Sequence, residues 1–199
     1  REPTCSLTPP SGPMPVATQW SLHGGKRQAK PGLVVISNSY IWFRDSRGFA
    51  IGSPGESPSQ VPEVKLAALS SSLSSAVRAL QNAGHDVLLV QAVPHWGDVS
   101  ASLSWAGCST IDMVTRGCSR TMPLGEARER QGAITDVVAH VASETRAAVL
   151  DLTAEFCPYG TCASVTSDGL IRYRDGVHIT VEQSRALTET FAKAIAAVG

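Results

Sequence analysis

Continuous apolar runs alternate with helical patterns along this chain, and that alternation constrains its fold more than any other feature. Leu33–Ser37 follows Pro31-Gly32 and contains no polar alternation, which is typical of a strand buried on both faces. Asp86–Val90 predicts a second buried strand, and Ala148–Leu152 predicts a third, short one. Strands of this kind are characteristic of a parallel sheet rather than of a half-exposed antiparallel one.

Three helical patterns separate or follow these strands. Apolar residues recur at steps of three and four from Leu66 to Leu80, and Gly84 is a suitable C-terminal glycine. Leu124–Thr145 predicts a second helix, with one apolar face made of Ala127, Ile134, Val137, Val138 and Val141. A third helix begins at Thr180, which has capping-box spacing with Gln183, and its apolar stripe is Leu187, Phe191, Ala194, Ile195 and Val198. Strands and helices in this order predict a parallel sheet wrapped by helices, a three-layer α/β/α sandwich.

The remaining segments read as connections within a single domain, residues 1–199. Residues 1–31 are rich in Pro, Gly and Ser and are expected to be irregular. Residues 38–62 and 95–123 predict long loops, which in compact domains are usually functional or disordered. Cys157 to Tyr173 predicts an irregular hairpin with its turn at Ser167-Asp168-Gly169.

Composition excludes several classes of function. Hydrophobic residues make up 43% of the chain, charged residues 17%, and the formal net charge is +0. Without a basic excess, there is no electrostatic basis for binding nucleic acid or an anionic membrane surface. No apolar run is long enough for a membrane helix, and the start at Arg1 without a signal-peptide pattern suggests a processed or shortened N-terminus.

The cysteines point to an oxidising compartment. Four of the five form two local pairs, Cys108 with Cys118 and Cys157 with Cys162. No His lies within either pair's loop, so the spacing suits short disulfides better than a metal site, and no metal is expected. Cys5 is left either free or paired outside this chain. Five reduced, buried thiols in a cytosolic protein are the alternative.

The predicted topology places a ligand site at the carboxyl ends of the strands. The Ser37-Asn38-Ser39 turn, the Pro94-His95-Trp96 loop and the Asp175–His178 loop converge there. An Asp three residues before a His is a compact general-base device, because the carboxylate can orient the ring and stabilise the imidazolium. On spacing alone, the same pair could be an ordinary polar loop.

Other residues near this edge are weaker candidates. Ser37 and Ser39 are possible nucleophiles, although turn hydroxyls are the more common interpretation. His95 could contact substrate, or it could be a surface group. Trp96 and Trp42 could stack on sugar rings, or they could pack the two long loops.

Four sequence blocks resemble the SGNH (GDSL-type) hydrolase-like family, in particular the extracytoplasmic SGNH domain fused to acyltransferase-3 membrane proteins. Residues 30–40, KPGLVVISNSY, resemble the strand and turn that hold the family's Asn. Residues 73–96, LSSAVRALQNAGHDVLLVQAVPHW, resemble its next helix–strand–Pro unit. Residues 149–162, VLDLTAEFCPYGTC, resemble the cysteine-bridged segment of the fused subgroup, and residues 171–180, IRYRDGVHIT, its terminal Asp-x-x-His block.

This resemblance implies a flavodoxin-like fold and acyl-transfer chemistry without a cofactor. It makes His178 the general base and Asp175 its orienting carboxylate, with Asn38, next to Ser37, at the oxyanion hole. The match at Asn38 is loose, because the family's Gly-x-Asn-Asp is here Ser37-Asn38-Ser39-Tyr40. The implied function is O-acyl transfer, chiefly O-acetylation, from an acyl donor to a cell-envelope glycan or glycolipid. The implied place is the periplasm or cell surface, tethered to a membrane acyltransferase domain.

The chain departs from the family in one important block. The family's nucleophile lies in a Gly-Asp-Ser motif, and this sequence contains no Gly-Asp-Ser and no Gly-x-Ser-x-Gly elbow. Either an upstream strand and helix carry the serine, or the site has lost its nucleophile. A secreted carbohydrate or lipid esterase and a non-catalytic binding domain therefore remain as alternatives to the acyltransferase.

Overall fold

A computed structural model describes residues 30–37, 43, 49–52, 57–96 and 119–198. The strands in this part are β1 (Leu33–Ser37), β2 (Asp86–Val90), β3 (Thr121–Pro123), β4 (Ala148–Leu150) and β5 (Thr161–Ala163). The helices are α1 (Pro62–Asn82), α2 (Leu124–Thr145), α3 (Thr153–Phe156), α4 (Val181–Ala186) and α5 (Thr188–Ala196). No helix in these ranges is both long and apolar enough to span a membrane.

The central sheet is parallel and has the order β1-β2-β4, so the predicted α/β/α class is confirmed. Leu33 pairs with Asp86 at one end of the sheet, and Val90 pairs with Leu150 at the other. Strand β4 ends at Leu150, two residues before the predicted end at Leu152. Just after the strand, the Asp151 carboxylate accepts a hydrogen bond from the Thr153 amide at 2.8 Å, a local turn that leads the chain out of β4 towards α3.

Helices α1 and α2 cover one face of the sheet. Their predicted apolar stripes are confirmed, with Val77, Val138 and Val141 fully buried. They pack against alternate residues of the strands, chiefly Ile36 and Leu89. Helix α1 ends before Gly84, whose φ of +88° is the left-handed conformation that glycine adopts most easily.

The other face is covered by the C-terminal part of the chain. Leu88 and Val90 of β2 pack in one cluster with Phe156, Tyr173 and Leu187. The sequence predicted one helix from Thr180, and the structure divides it at Leu187 into α4 and α5. The Thr188 hydroxyl donates to the Arg185 carbonyl at 2.6 Å, a local bond that competes with regular helical bonding.

The start of this segment is as the sequence predicted. The Thr180 hydroxyl accepts a hydrogen bond from the Gln183 amide at 3.1 Å and so caps α4. The predicted stripe of α5 is confirmed for Phe191 and Ala194, which pack against the cluster. Ile195, also predicted in this stripe, is 42% exposed.

The predicted hairpin between Cys157 and Tyr173 is only partly correct. Its turn is confirmed, with Val165 bridged to Ile171 around Gly169. Its first arm instead pairs as β5 with β3 in an antiparallel ribbon. Strand β3 lies within the loop predicted for residues 95–123. Strands of three residues are stabilised by their partners rather than by local pattern, so the sequence did not indicate this pairing.

Strand β1 differs from the prediction that it is buried on both faces. Val35 is 40% exposed, whereas Val87, Leu88, Leu89 and Val90 of β2 are all buried. Within the described residues, β1 pairs only with β2, so its other edge has no partner strand there. Strand β1 is therefore more apolar than its exposure among the described residues would lead one to expect.

The predicted bridge between Cys157 and Cys162 is confirmed, and it closes a loop with a sequence separation of 5. Both cysteines are buried, at 4% and 1% exposure. The pairing proposed for Cys108 and Cys118, like Cys5, lies outside the described residues.

Removal of this bridge should lower the free energy of unfolding by about 2 kcal/mol, because the unfolded chain loses a short closed loop. The double substitution Cys157→Ala with Cys162→Ala tests this by urea denaturation. Cys5→Ser, which leaves the bridge intact, is the control. Equal unfolding midpoints for the bridged protein and the double variant would contradict a stabilising role.

Candidate active site

The loop that carries Asp175 and His178 is closed at its base by backbone pairing. Tyr173 and Ile179 form an antiparallel bridge. The Arg174 amide donates to the His178 carbonyl at 2.8 Å within that bridge. The loop therefore returns the chain directly to the start of α4, and it holds the two candidate side chains close together.

Asp175 and His178 are in direct contact. The His178 Nδ1 atom lies 2.9 Å from Oδ1 and 2.8 Å from Oδ2 of Asp175. The imidazole is 53% exposed and the carboxylate 25% exposed. Because Nδ1 is engaged by the carboxylate, Nε2 is the ring nitrogen left to exchange a proton with a reactant.

The Asp175 carboxylate also organises the loop backbone. Its Oδ1 atom accepts hydrogen bonds from the amides of Val177 at 2.9 Å and His178 at 2.8 Å. Partial burial acts to raise the pKa of Asp175, but these two amides and the His178 side chain outweigh it and hold the pKa below its ordinary value. Asp175 is therefore ionised and a hydrogen-bond acceptor at neutral pH.

The lowered pKa of Asp175 predicts an acid-dependent loss of stability. A carboxylate with a folded-state pKa below the ordinary value of 3.8 stabilises the fold above that pH, and this contribution disappears as the pH falls through the folded-state pKa. The difference in unfolding free energy between the wild type and Asp175→Asn should shrink over that acid range. Urea denaturation at a series of pH values measures it, and a difference that stays constant through that range would contradict the prediction.

A cavity of about 460 Å³ lies beside His178, at the carboxyl ends of the sheet strands. Its lining is mostly apolar and comes from both faces of the sheet. The polar or titratable side chains that line it are Ser37, Gln91, His95, Arg130, Gln131, His178 and Ser184. This is the position that the topology predicted for a ligand site.

The structure brings some of the predicted site residues together and leaves others elsewhere. Ser37 and His95 line the cavity with His178. Trp96 is not among the lining residues, and its ring instead packs edge-on against Tyr173 with centroids 5.9 Å apart. Of the two roles considered for Trp96, the structure therefore shows packing of the loop and no contact of its ring with the cavity. Asn38, Ser39 and Trp42 lie outside the described residues.

Helix α2 contributes to the cavity, which was not predicted from the sequence. Gln131 is 8% exposed, and its amide donates to the carbonyls of Ala92 and Val93, just beyond the end of β2. It occupies a stripe position between Ala127 and Ile134, where the helical pattern calls for an apolar residue. A polar residue in an otherwise apolar stripe was the available signal. The neighbouring Arg130 pairs with Glu126.

Two hydroxyls share the cavity with His178, those of Ser37 and Ser184. Among the described residues, neither forms a hydrogen bond to the His178 ring, whose only hydrogen-bond partner there is Asp175. Within the part of the chain that the structure describes, the Asp–His pair therefore has no hydroxyl bonded to its ring.

A parallel α/β sheet with an Asp–His pair at its carboxyl edge is typical of α/β hydrolase-like domains. Residues 18–193 match the model of the family described as "SGNH domain (fused to AT3 domains)", so the chain belongs to this family. A comparison with curated proteins found no match.

Proposed function

We propose that this domain is part of an O-acyltransferase that moves an acyl group, chiefly acetyl, onto a glycan or glycolipid of the cell envelope. The observation that carries the proposal is the His178 imidazole, which Asp175 holds through Nδ1 beside a largely apolar cavity. A serine that attacks an ester or thioester needs such a base. Membership of a family fused to AT3 domains supports transfer rather than simple hydrolysis.

The proposed reaction has two halves. A serine Oγ attacks the acyl carbonyl of the donor while Nε2 of His178 takes the hydroxyl proton, and the imidazolium then protonates the departing alcohol or thiol. A sugar hydroxyl next attacks the acyl-serine and loses its proton to Nε2. The imidazolium returns that proton to the departing serine Oγ, and the sugar leaves as the new ester. Asp175 stabilises the imidazolium in both halves. Asn38, with Ser37 beside it, would donate to the developing oxyanion.

The nucleophile is proposed to arrive on a further parallel strand that pairs with the edge of β1 opposite β2, which has no partner strand among the described residues. Two observations support this position: the 40% exposure of Val35, and the absence of a described partner on that edge. The carboxyl end of such a strand would lie next to Ser37, on the cavity side of the sheet. A Gly-Asp-Ser block at that end would present its serine towards His178.

The domain is proposed to act outside the cytoplasm, tethered to a membrane acyltransferase that delivers the acyl group. The Cys157–Cys162 disulfide supports an oxidising compartment. The family description supports fusion to an AT3 domain. The balanced charge gives no support for nucleic acid as a partner.

The intact protein, incubated with p-nitrophenyl acetate and a solubilised envelope polysaccharide, tests this function. Nitrophenol release measures donor cleavage, and mass spectrometry of the polysaccharide measures acetyl transfer. Acetylated polysaccharide is the expected result. Nitrophenol release without acetylation would favour the esterase, and absence of both would favour a binding domain.

A further inference from the structure

Tyr173 combines complete burial with a specific polar contact. It is 0% exposed, and its hydroxyl donates to the carbonyl of Pro94 at 2.5 Å. Burial raises the pKa of Tyr173 above its ordinary value, so the hydroxyl stays protonated and remains a donor. Pro94 is itself fully buried, so its carbonyl has little access to water as an alternative partner.

A second bond joins the same two loops. The Trp96 amide donates to the Gly176 carbonyl at 2.8 Å. The Trp96 ring also meets the Tyr173 ring at 82°, an edge-to-face contact. The Pro94–Trp96 segment is therefore attached at both ends to the loop between Tyr173 and His178.

The Tyr173–Pro94 and Trp96–Gly176 bonds lie on either side of His95 in one loop and of Asp175 in the other. His95 sits between Pro94 and Trp96, and Asp175 sits between Tyr173 and Gly176. His95 and His178 line the same cavity. The hydrogen bonds within the 173–179 loop fix its own shape, but they do not fix where the loop sits relative to β2. The bond from Tyr173 to the Pro94 carbonyl and the contacts of Trp96 with Gly176 and Tyr173 hold the loop in place relative to β2.

We propose that Tyr173 is a positioning residue of the acyl-transfer site, which fixes the loop of Asp175 and His178 against the loop of His95 by binding the Pro94 carbonyl. The inference rests on the proposed function. Tyr173 does not touch the reactants. It acts by holding the His178 imidazole at one distance and orientation relative to the rest of the cavity.

Tyr173→Phe in the intact protein removes only the hydroxyl and keeps the buried ring. The kcat for p-nitrophenyl acetate should fall about ten- to a hundredfold, because small displacements of a reacting group are costly, while KM stays within about twofold. Tyr159→Phe deletes the hydroxyl of a fully exposed tyrosine and should change neither constant.

Val141→Ala separates positioning from general destabilisation. Val141 lies in α2 and is 0% exposed, in the core that α1 and α2 form with the sheet. This core is on the opposite face of the sheet from Tyr173. Its truncation should lower Tm while kcat, measured well below Tm, is kept. A Tyr173→Phe variant with wild-type kcat, or with a loss no larger than that of Val141→Ala at an equal Tm shift, would overturn the proposal.

Imidazole NMR spectra of nitrogen-15 histidine-labelled protein provide a readout that does not depend on turnover. The proposal predicts that Tyr173→Phe shifts or broadens the ring signals of both His95 and His178, while His140 on the surface of α2 is unchanged. Unaltered His95 and His178 signals would refute the positioning role. An inactive wild type would refute the proposed function instead, so the two failures are distinguishable.

Discussion

Replacement of His178 by alanine should reduce acyl transfer by about 10⁴-fold or more, because the attacking hydroxyl loses its proton acceptor. In the structure the Asp175 carboxylate contacts Nδ1 of the His178 ring, and His178 lines the cavity. The side chain is 53% exposed, so its truncation should leave the fold intact. The measurement is nitrophenol release and polysaccharide acetylation by the intact protein.

His140→Ala is the matched control. His140 is also a surface histidine with a carboxylate neighbour, since its Nε2 atom lies 3.4 Å from Oε1 of Glu144, but it is 63% exposed within α2 and does not line the cavity. Its loss should leave activity within about twofold. A His178→Ala variant that keeps more than about a tenth of wild-type activity would rule out His178 as the general base.

Free imidazole offers a further check of the same role. Truncation of His178 opens space that is continuous with the 460 Å³ cavity, so an imidazole molecule can occupy the vacated position. Added imidazole should partly restore turnover in His178→Ala and should do little for the wild type. Restoration by an added base would link the defect to lost proton transfer rather than to altered packing.

The parts of the structure that the sequence predicted are those set by local pattern. Helix α2 begins and ends at the predicted residues because one apolar stripe runs its whole length. The Asp175–His178 contact was predictable because three residues of separation bring the two side chains together within one turn of chain. The Thr180 cap was predictable for the same reason.

The parts that sequence reasoning missed depend on distant segments meeting. Strands β3 and β5 are three residues each and exist through their mutual pairing. Ser184 and Arg130 reach the cavity from two different helices, and no local spacing indicates that they share it. The exposure of Val35 likewise depends on which segments pack against β1, and the apolar pattern of β1 cannot specify them.

Asp175→Asn should lower acyl transfer by about 10³-fold while it leaves the loop folded. An asparagine Oδ1 can still accept the amides of Val177 and His178, which Asp175 receives at 2.9 and 2.8 Å. The substitution changes the group that faces Nδ1 of His178 from a carboxylate to a neutral amide. The asparagine NH₂ can donate to Nδ1, which places the ring proton on Nε2 and removes the acceptor that the serine needs.

The contrast with other substitutions assigns this loss to charge and tautomer rather than to loop structure. Asp168→Asn makes the same chemical change in the Val165–Ile171 turn, where Asp168 also has a lowered pKa, chiefly through its hydrogen bond with Thr166, and it should keep wild-type activity. Asp175→Ala removes the amide acceptor as well, so it should be the less stable of the two Asp175 variants. If Asp175→Asn were fully active, the carboxylate would serve only to shape the loop, and His178 would act as a base without it. Equal losses of stability in the two variants would instead show that the contacts with the Val177 and His178 amides contribute little to the fold.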